Sequence, residues 1–143
     1  MVNNILILLL SFTASLAFSV TFGIRGKDKL LYAGLGGFLV RLVNITLSSF
    51  TQNHFVITLI SALAASLYGD FMSRKIQVPT AYFIYPSIIP LIPGDMFHYM
   101  IASLVTGNIR LAEVQAFDCG LSLVALSLGT IIGTTTLQSI RRK

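Results

Sequence analysis

The sequence predicts an all-α, polytopic integral membrane protein of about five transmembrane helices, the fourth of them broken by prolines. Three observations predict it. Hydrophobic residues make up 55% of the 143 positions and charged residues only 10%, with a mean hydropathy of +0.82, a balance foreign to soluble domains. The basic residues gather beside apolar segments: Arg25, Lys27 and Lys29, then Arg74 and Lys75, then Arg141, Arg142 and Lys143. Finally, Pro86 to Asp95 reads PSIIPLIPGD, three prolines and a glycine inside a stretch otherwise apolar enough to cross a bilayer. The net charge of +5 therefore flanks lipid-embedded spans, which excludes nucleic acid as a partner. Residues 1–143 read as a single transmembrane domain.

Each span needs about 20 apolar residues to cross a hydrocarbon core of roughly 30 Å. The first is expected from about Asn4 to Gly23, ended by the basic turn RGKDK at Arg25 to Lys29. No Lys or Arg precedes it and the run exceeds a signal-peptide core, so a retained span is expected. The second runs from about Leu30 to Phe50, interrupted by Arg41 and Asn44, and the polar turn TQNH follows at Thr51 to His54. The third, from about Phe55 to Phe71, is a little short and stops before Arg74 and Lys75. The fourth, from about Pro79 to Val105, is too long and too proline-rich for one straight helix. The fifth runs from about Gln115 to Leu137, after a loop in which Arg110 and Glu113 read as a solvated pair. Asp70 and Asp118 read as span-end residues. The charge bias predicts an outside N-terminus and a cytoplasmic C-terminus.

Small residues recur at the spacing that lets helix backbones approach in lipid: Ala33 with Gly37, Ala62 with Ser66, and Gly129 with Gly133. Packing within one subunit and assembly into a higher oligomer both fit this spacing. GLGG at Gly34 to Gly37 lacks the third glycine and the preceding strand of a dinucleotide loop. Cys119 is the sole cysteine, which excludes an internal disulfide and a thiolate cluster. His54 and His98 lie on different segments without further ligands, so no metal and no cofactor is predicted.

The broken span carries the functional argument. Proline lacks an N–H and frees a carbonyl one turn back, so Pro86, Pro90 and Pro93 leave backbone groups without helical partners. In hydrocarbon such groups persist only where protein buries them or water reaches them. Discontinuous helices of this kind line solute sites in secondary transporters. Asp95 follows the break: a carboxylate there suits a restarting helix, and it equally suits a substrate ammonium or a coupling proton, with His98 one turn on as a proton-relay partner. Arg41, about halfway along span two, needs a partner; Asn44 shares its face, and a solute carboxylate, Asp95 or the free carbonyls each qualify, as does purely structural pairing. Tyr82, Tyr85 and Tyr99 suit interface anchors, and Tyr99, one turn past the break, also suits a cavity wall. The chain has no HExxH, no GxSxG and no paired acidic motif on two spans, which argues against an intramembrane enzyme. A structural membrane subunit without its own substrate site is the third class.

The stretch PTAYFIYPSIIPLIPGDMFHY resembles the signature of the threonine/serine exporter family, in particular its small-subunit, C-terminal-half-like members. Pro79, Pro86, Pro90, Leu91, Ile92, Pro93, Gly94 and Tyr99 match it, while Ser87 stands where the family pattern has glycine. The resemblance implies a bacterial cytoplasmic (inner) membrane protein and one subunit of a two-component exporter driven by the proton-motive force. It also implies a partner, a larger membrane half with a cytoplasmic N-terminal domain, and a small carboxylate-bearing substrate, threonine or serine, or a dicarboxylate such as succinate. The substrate or pathway residues that follow are Arg41, Asn44, Pro86, Ser87, Pro90, Pro93, Gly94, Asp95 and Tyr99.

Overall fold

The computed structural model describes residues 2–141; Arg142 and Lys143 of the third basic cluster lie outside them. The described residues form helices joined by short turns: α1 (Val2–Thr21), α2 (Lys27–Ser48), α3 (His54–Ile76), α4 (Ala81–Ile88), α5 (Gly94–Val105) and α6 (Ile109–Arg141), with one turn of 3-10 helix, Ile89–Leu91, after α4. Of these, α1, α2, α3 and α6 are each long and apolar enough to cross a membrane. The α4 and α5 segments meet at an angle of 43° and together make the fifth candidate span. The expected all-α, five-span architecture with a broken fourth span is therefore the architecture found.

Most helix ends fall a few residues from expectation, and the two largest differences arise because helix ends follow local capping rather than hydropathy. Helix α3 runs on past Phe71 to Ile76, so Arg74 and Lys75 sit in its last turn, where cations meet the negative end of the helix dipole. It stops where Gln77 takes a left-handed conformation (φ 57°) and the Ser73 hydroxyl donates to the Val78 carbonyl at 2.5 Å. Helix α6 starts at Ile109, six residues before the expected Gln115, with the Asn108 side chain accepting from the Leu111 N–H at 3.4 Å. Arg110 and Glu113 therefore lie in the first turns of α6, not in a loop.

The small residues explain how the helices touch. Between helices in lipid, close backbone packing replaces the hydrophobic effect. Gly129 faces α3 so closely that a Cβ there would lie 2.6 Å from the Leu59 carbonyl oxygen and 2.7 Å from the Ala62 methyl. Gly133 meets Ser66 one turn along, and the Ser66 hydroxyl donates to the Ala62 carbonyl at 3.1 Å and to the Thr130 carbonyl at 3.4 Å. The pairs Ala62/Ser66 and Gly129/Gly133 thus form one seam inside the subunit, with α3 and α6 running parallel. On α2, Gly34 and Gly37 lie against Phe12, Ser15 and Leu16 of α1, whereas Gly36 lies against Tyr68 of α3 and Ser87 of α4. GLGG is the point at which one helix receives three neighbours.

The ends of the bundle differ in charge. Tyr68 donates from its hydroxyl to the Tyr32 carbonyl at 2.6 Å, and the Lys75 ammonium stands 5.7 Å from the Tyr32 ring centre, which ties the end of α3 to the start of α2. Arg25, Lys27, Lys29, Arg74 and Lys75 therefore share one end, with Asp70 and Arg74 paired at 2.7 Å. The turns Ser49–Asn53 and Thr106–Asn108 lie at the other.

Candidate functional site

The break can be followed carbonyl by carbonyl. In an uninterrupted helix, each carbonyl accepts from the N–H four residues on. Pro90 cannot serve the Pro86 carbonyl, and the buried Ser15 hydroxyl of α1 donates to it instead at 2.9 Å. Pro93 cannot serve the Ile89 carbonyl, and the Ile92 N–H, one residue nearer, fills that place at 3.2 Å in the tighter 3-10 manner. Ile92 itself is extended (φ −62°, ψ 125°), as the residue before a proline prefers to be. That turns the Gly94 N–H onto the Ile92 carbonyl at 2.8 Å and leaves the Pro90 carbonyl without a backbone donor. Arg41 of α2 supplies one, with Nη1 donating at 3.3 Å. Helix α5 then restarts at Gly94 after Pro93, with Asp95 in its first turn and the Phe97 N–H on the Pro93 carbonyl at 3.1 Å. Pro86, by contrast, is accommodated within α4, which continues through it.

Beside the break lies a cleft of about 470 Å³, walled by α2, the start of α3, the Pro90–Met96 segment and Ser122 of α6. Arg41, Asn44, Pro90, Pro93, Gly94 and Asp95 line it. Ser48 and His54 stand at its mouth, at the end of the bundle away from the basic residues. Arg41 precedes Ser48 by seven residues of helix, so it lies roughly 10 Å inward. Its Nη1 also reaches the Asn44 side-chain oxygen at 3.5 Å, while its Nε is buried with no hydrogen-bond partner among the described residues. Asp95 is exposed and forms no ion pair with Arg41 among the described residues. The cleft therefore holds a cation inside, an acid on one wall and a histidine at its mouth.

The remaining sequence candidates lie elsewhere. Pro86 and Ser87 are fully buried behind the cleft: Ser87 fits against Gly36 and donates to the Phe83 carbonyl at 2.6 Å. His98 and Tyr99 are exposed on α5, their rings 5.9 Å apart, and neither lines the cleft. No hydrogen bond joins Asp95 to His98 among the described residues. Conversely, the cleft includes Ser48, His54, Thr58, Met96 and Ser122, which sequence reasoning did not select. A serine or threonine in an apolar helix looks the same whether it faces lipid or a cleft, and only the packing of α3 and α6 distinguishes them.

A multi-pass helical bundle in which one discontinuous span bounds a polar cleft has the architecture of a membrane solute transporter. A family sequence model described as "Threonine/Serine exporter, ThrE" matches residues 7–136. The chain belongs to the threonine/serine exporter family. Comparison with curated proteins and with solved structures finds no match to the chain.

Proposed function

We propose that this chain is the membrane subunit of a two-component secondary exporter of small carboxylate-bearing metabolites, of the threonine/serine type, driven by the proton-motive force. It works with a larger membrane half that carries a cytoplasmic N-terminal domain. The N-terminus faces outward and the C-terminus the cytoplasm of a bacterial inner membrane, in keeping with the basic end of the bundle. The observation that carries the reading is Arg41, a half-buried guanidinium in the cleft with a buried, unpartnered Nε. A substrate carboxylate satisfies it better than a carbonyl at 3.3 Å does, because charge-assisted, two-point pairing is the stronger interaction. Asp95 on the same cleft suits the ammonium of an amino acid, so a zwitterion fits both walls. His54 at the mouth supports the second reading, a dicarboxylate such as succinate, since its ring N–H offers a donor to a second carboxylate.

Occupancy then bears on the break itself. A carboxylate that draws Arg41 away removes the donor from the Pro90 carbonyl, and the Gly94 N–H is the natural replacement in helical geometry. The preference of Ile92 for extended backbone resists that exchange, so the differential affinity of the substrate must drive it. Efflux of labelled threonine, serine and succinate, from cells making this chain, the larger half or both, tests the proposal. Export is expected only with both, and the preferred solute separates the zwitterion from the dicarboxylate. Export by the larger half alone at full rate would reduce this chain to an accessory.

A further inference from the structure

Buried hydroxyls in this bundle are almost all engaged. Ser66, Ser87 and Ser122 donate to carbonyls four residues back in their own helices, and Ser15 donates to Pro86. Thr58 and Ser61 of α3 depart from this pattern. Thr58 is 8% exposed, lines the cleft and makes no hydrogen bond among the described residues. Ser61, fully buried one turn deeper, has a hydroxyl oxygen with no partner among the described residues. A helical hydroxyl can always turn to its own backbone, so two successive ones that do not are set for another partner. The level in the bundle is also right: Val40, beside Arg41, packs with Ala62, beside Ser61. Arg41 and Thr58 therefore line one cleft, while Ser61, fully buried, lies one turn further along α3 behind its wall.

We propose that Thr58 reads a hydroxyl on the transported solute, so that the first turns of α3 separate hydroxyl-bearing amino acids from isosteres lacking the hydroxyl. This rests on the export reading and deepens it. With the carboxylate on Arg41, a hydroxyl two carbons away meets Thr58 on the α3 wall and forms a hydrogen bond with it. An isostere with a methyl or hydrogen instead forfeits that bond and leaves Thr58 only its own backbone to turn to, which is how a polar site disfavours a deoxy analogue.

The test is competitive efflux of serine against alanine, and of threonine against α-aminobutyrate, from cells carrying both halves of the exporter. Wild type is expected to favour the hydroxylated member of each pair by about tenfold. Thr58→Val, which keeps the volume, should move both ratios toward unity through slower serine and threonine efflux, while Thr58→Ser restores them. Ser66→Ala, whose hydroxyl is already engaged, should leave the ratios unchanged. Removing an unpartnered hydroxyl should not lower the amount of inserted protein, whereas a merely structural role predicts less protein at unchanged ratios. Unchanged ratios in Thr58→Val, or equal wild-type efflux within each pair, would overturn the inference and leave the export reading standing. Absence of efflux of all four amino acids would remove the inference and the amino-acid form of the export reading together, leaving the dicarboxylate.

Discussion

The α3–α6 seam and the broken span are both built from residues that disfavour ordinary helix packing, yet they resolve the problem in opposite ways. In the seam, glycine removes side chains so that two backbones meet directly, and the Ser66 hydroxyl is shared between the helices. Little is left for a ligand to take. At the break, proline removes N–H groups and the carbonyls are served by side chains reaching from other helices, Ser15 and Arg41. The Arg41 bond is exchangeable, because that donor lines an open cleft. Stability therefore belongs to the seam and function to the break, and substitutions should sort accordingly.

The largest effect is expected from Gly129→Leu, since even a Cβ there meets the Leu59 carbonyl oxygen at 2.6 Å and backbone must move. A loss of about 3 kcal/mol in unfolding from detergent is predicted, with export falling only as folded protein falls. Arg41→Ala should do the reverse, cutting export at least about tenfold while the chain still inserts, because it removes a charge-assisted contact from a solute rather than packing from the core. Ser15→Ala lies between the two: it leaves the buried Pro86 carbonyl without a donor, at a cost of about 1–3 kcal/mol in stability. Arg74→Ala marks the small end. Its partner Asp70 stands 2.7 Å away, but Arg74 is 52% exposed, so a change within about 0.5 kcal/mol is expected in the same unfolding assay. Should Arg41→Ala instead unfold the protein as Gly129→Leu does, the distinction between the two regions fails.

Much of this was legible in the sequence because the signals are local. Hydropathy located every span, and prolines at positions 86, 90 and 93 announced a break whose bend falls after Pro90, with α5 restarting at Gly94. The spacing of Gly129 and Gly133 announced close packing, but not that Ala62 and Ser66 would be the surface opposite, since a small-residue pair does not name its partner. Arg41 and Asn44 stood out as costly residues in lipid, whereas the carbonyl chosen by Arg41 depended on how Ile92 turns before Pro93. Thr58 and Ser122 were invisible for a related reason: their exposure to the cleft is a property of helix rotation and crossing, which no stretch of a single helix encodes. His54 was read as part of a polar turn, and its place at the mouth follows only from the start of α3 lying across the cleft from the second half of the broken span.

The central claim is that the break bounds a water-filled cleft that a solute enters, and cysteine accessibility tests it most directly. In a Cys119→Ser background, Asn44→Cys places a thiol on the cleft wall beside Arg41. Rapid labelling by a small membrane-impermeant methanethiosulfonate, added from the side of the Ser48–His54 mouth and slowed by serine or threonine, is the predicted result. Failure of Asn44→Cys to label while His54→Cys labels readily, with the protein folded and inserted, would mean a dry, closed break and would contradict the account.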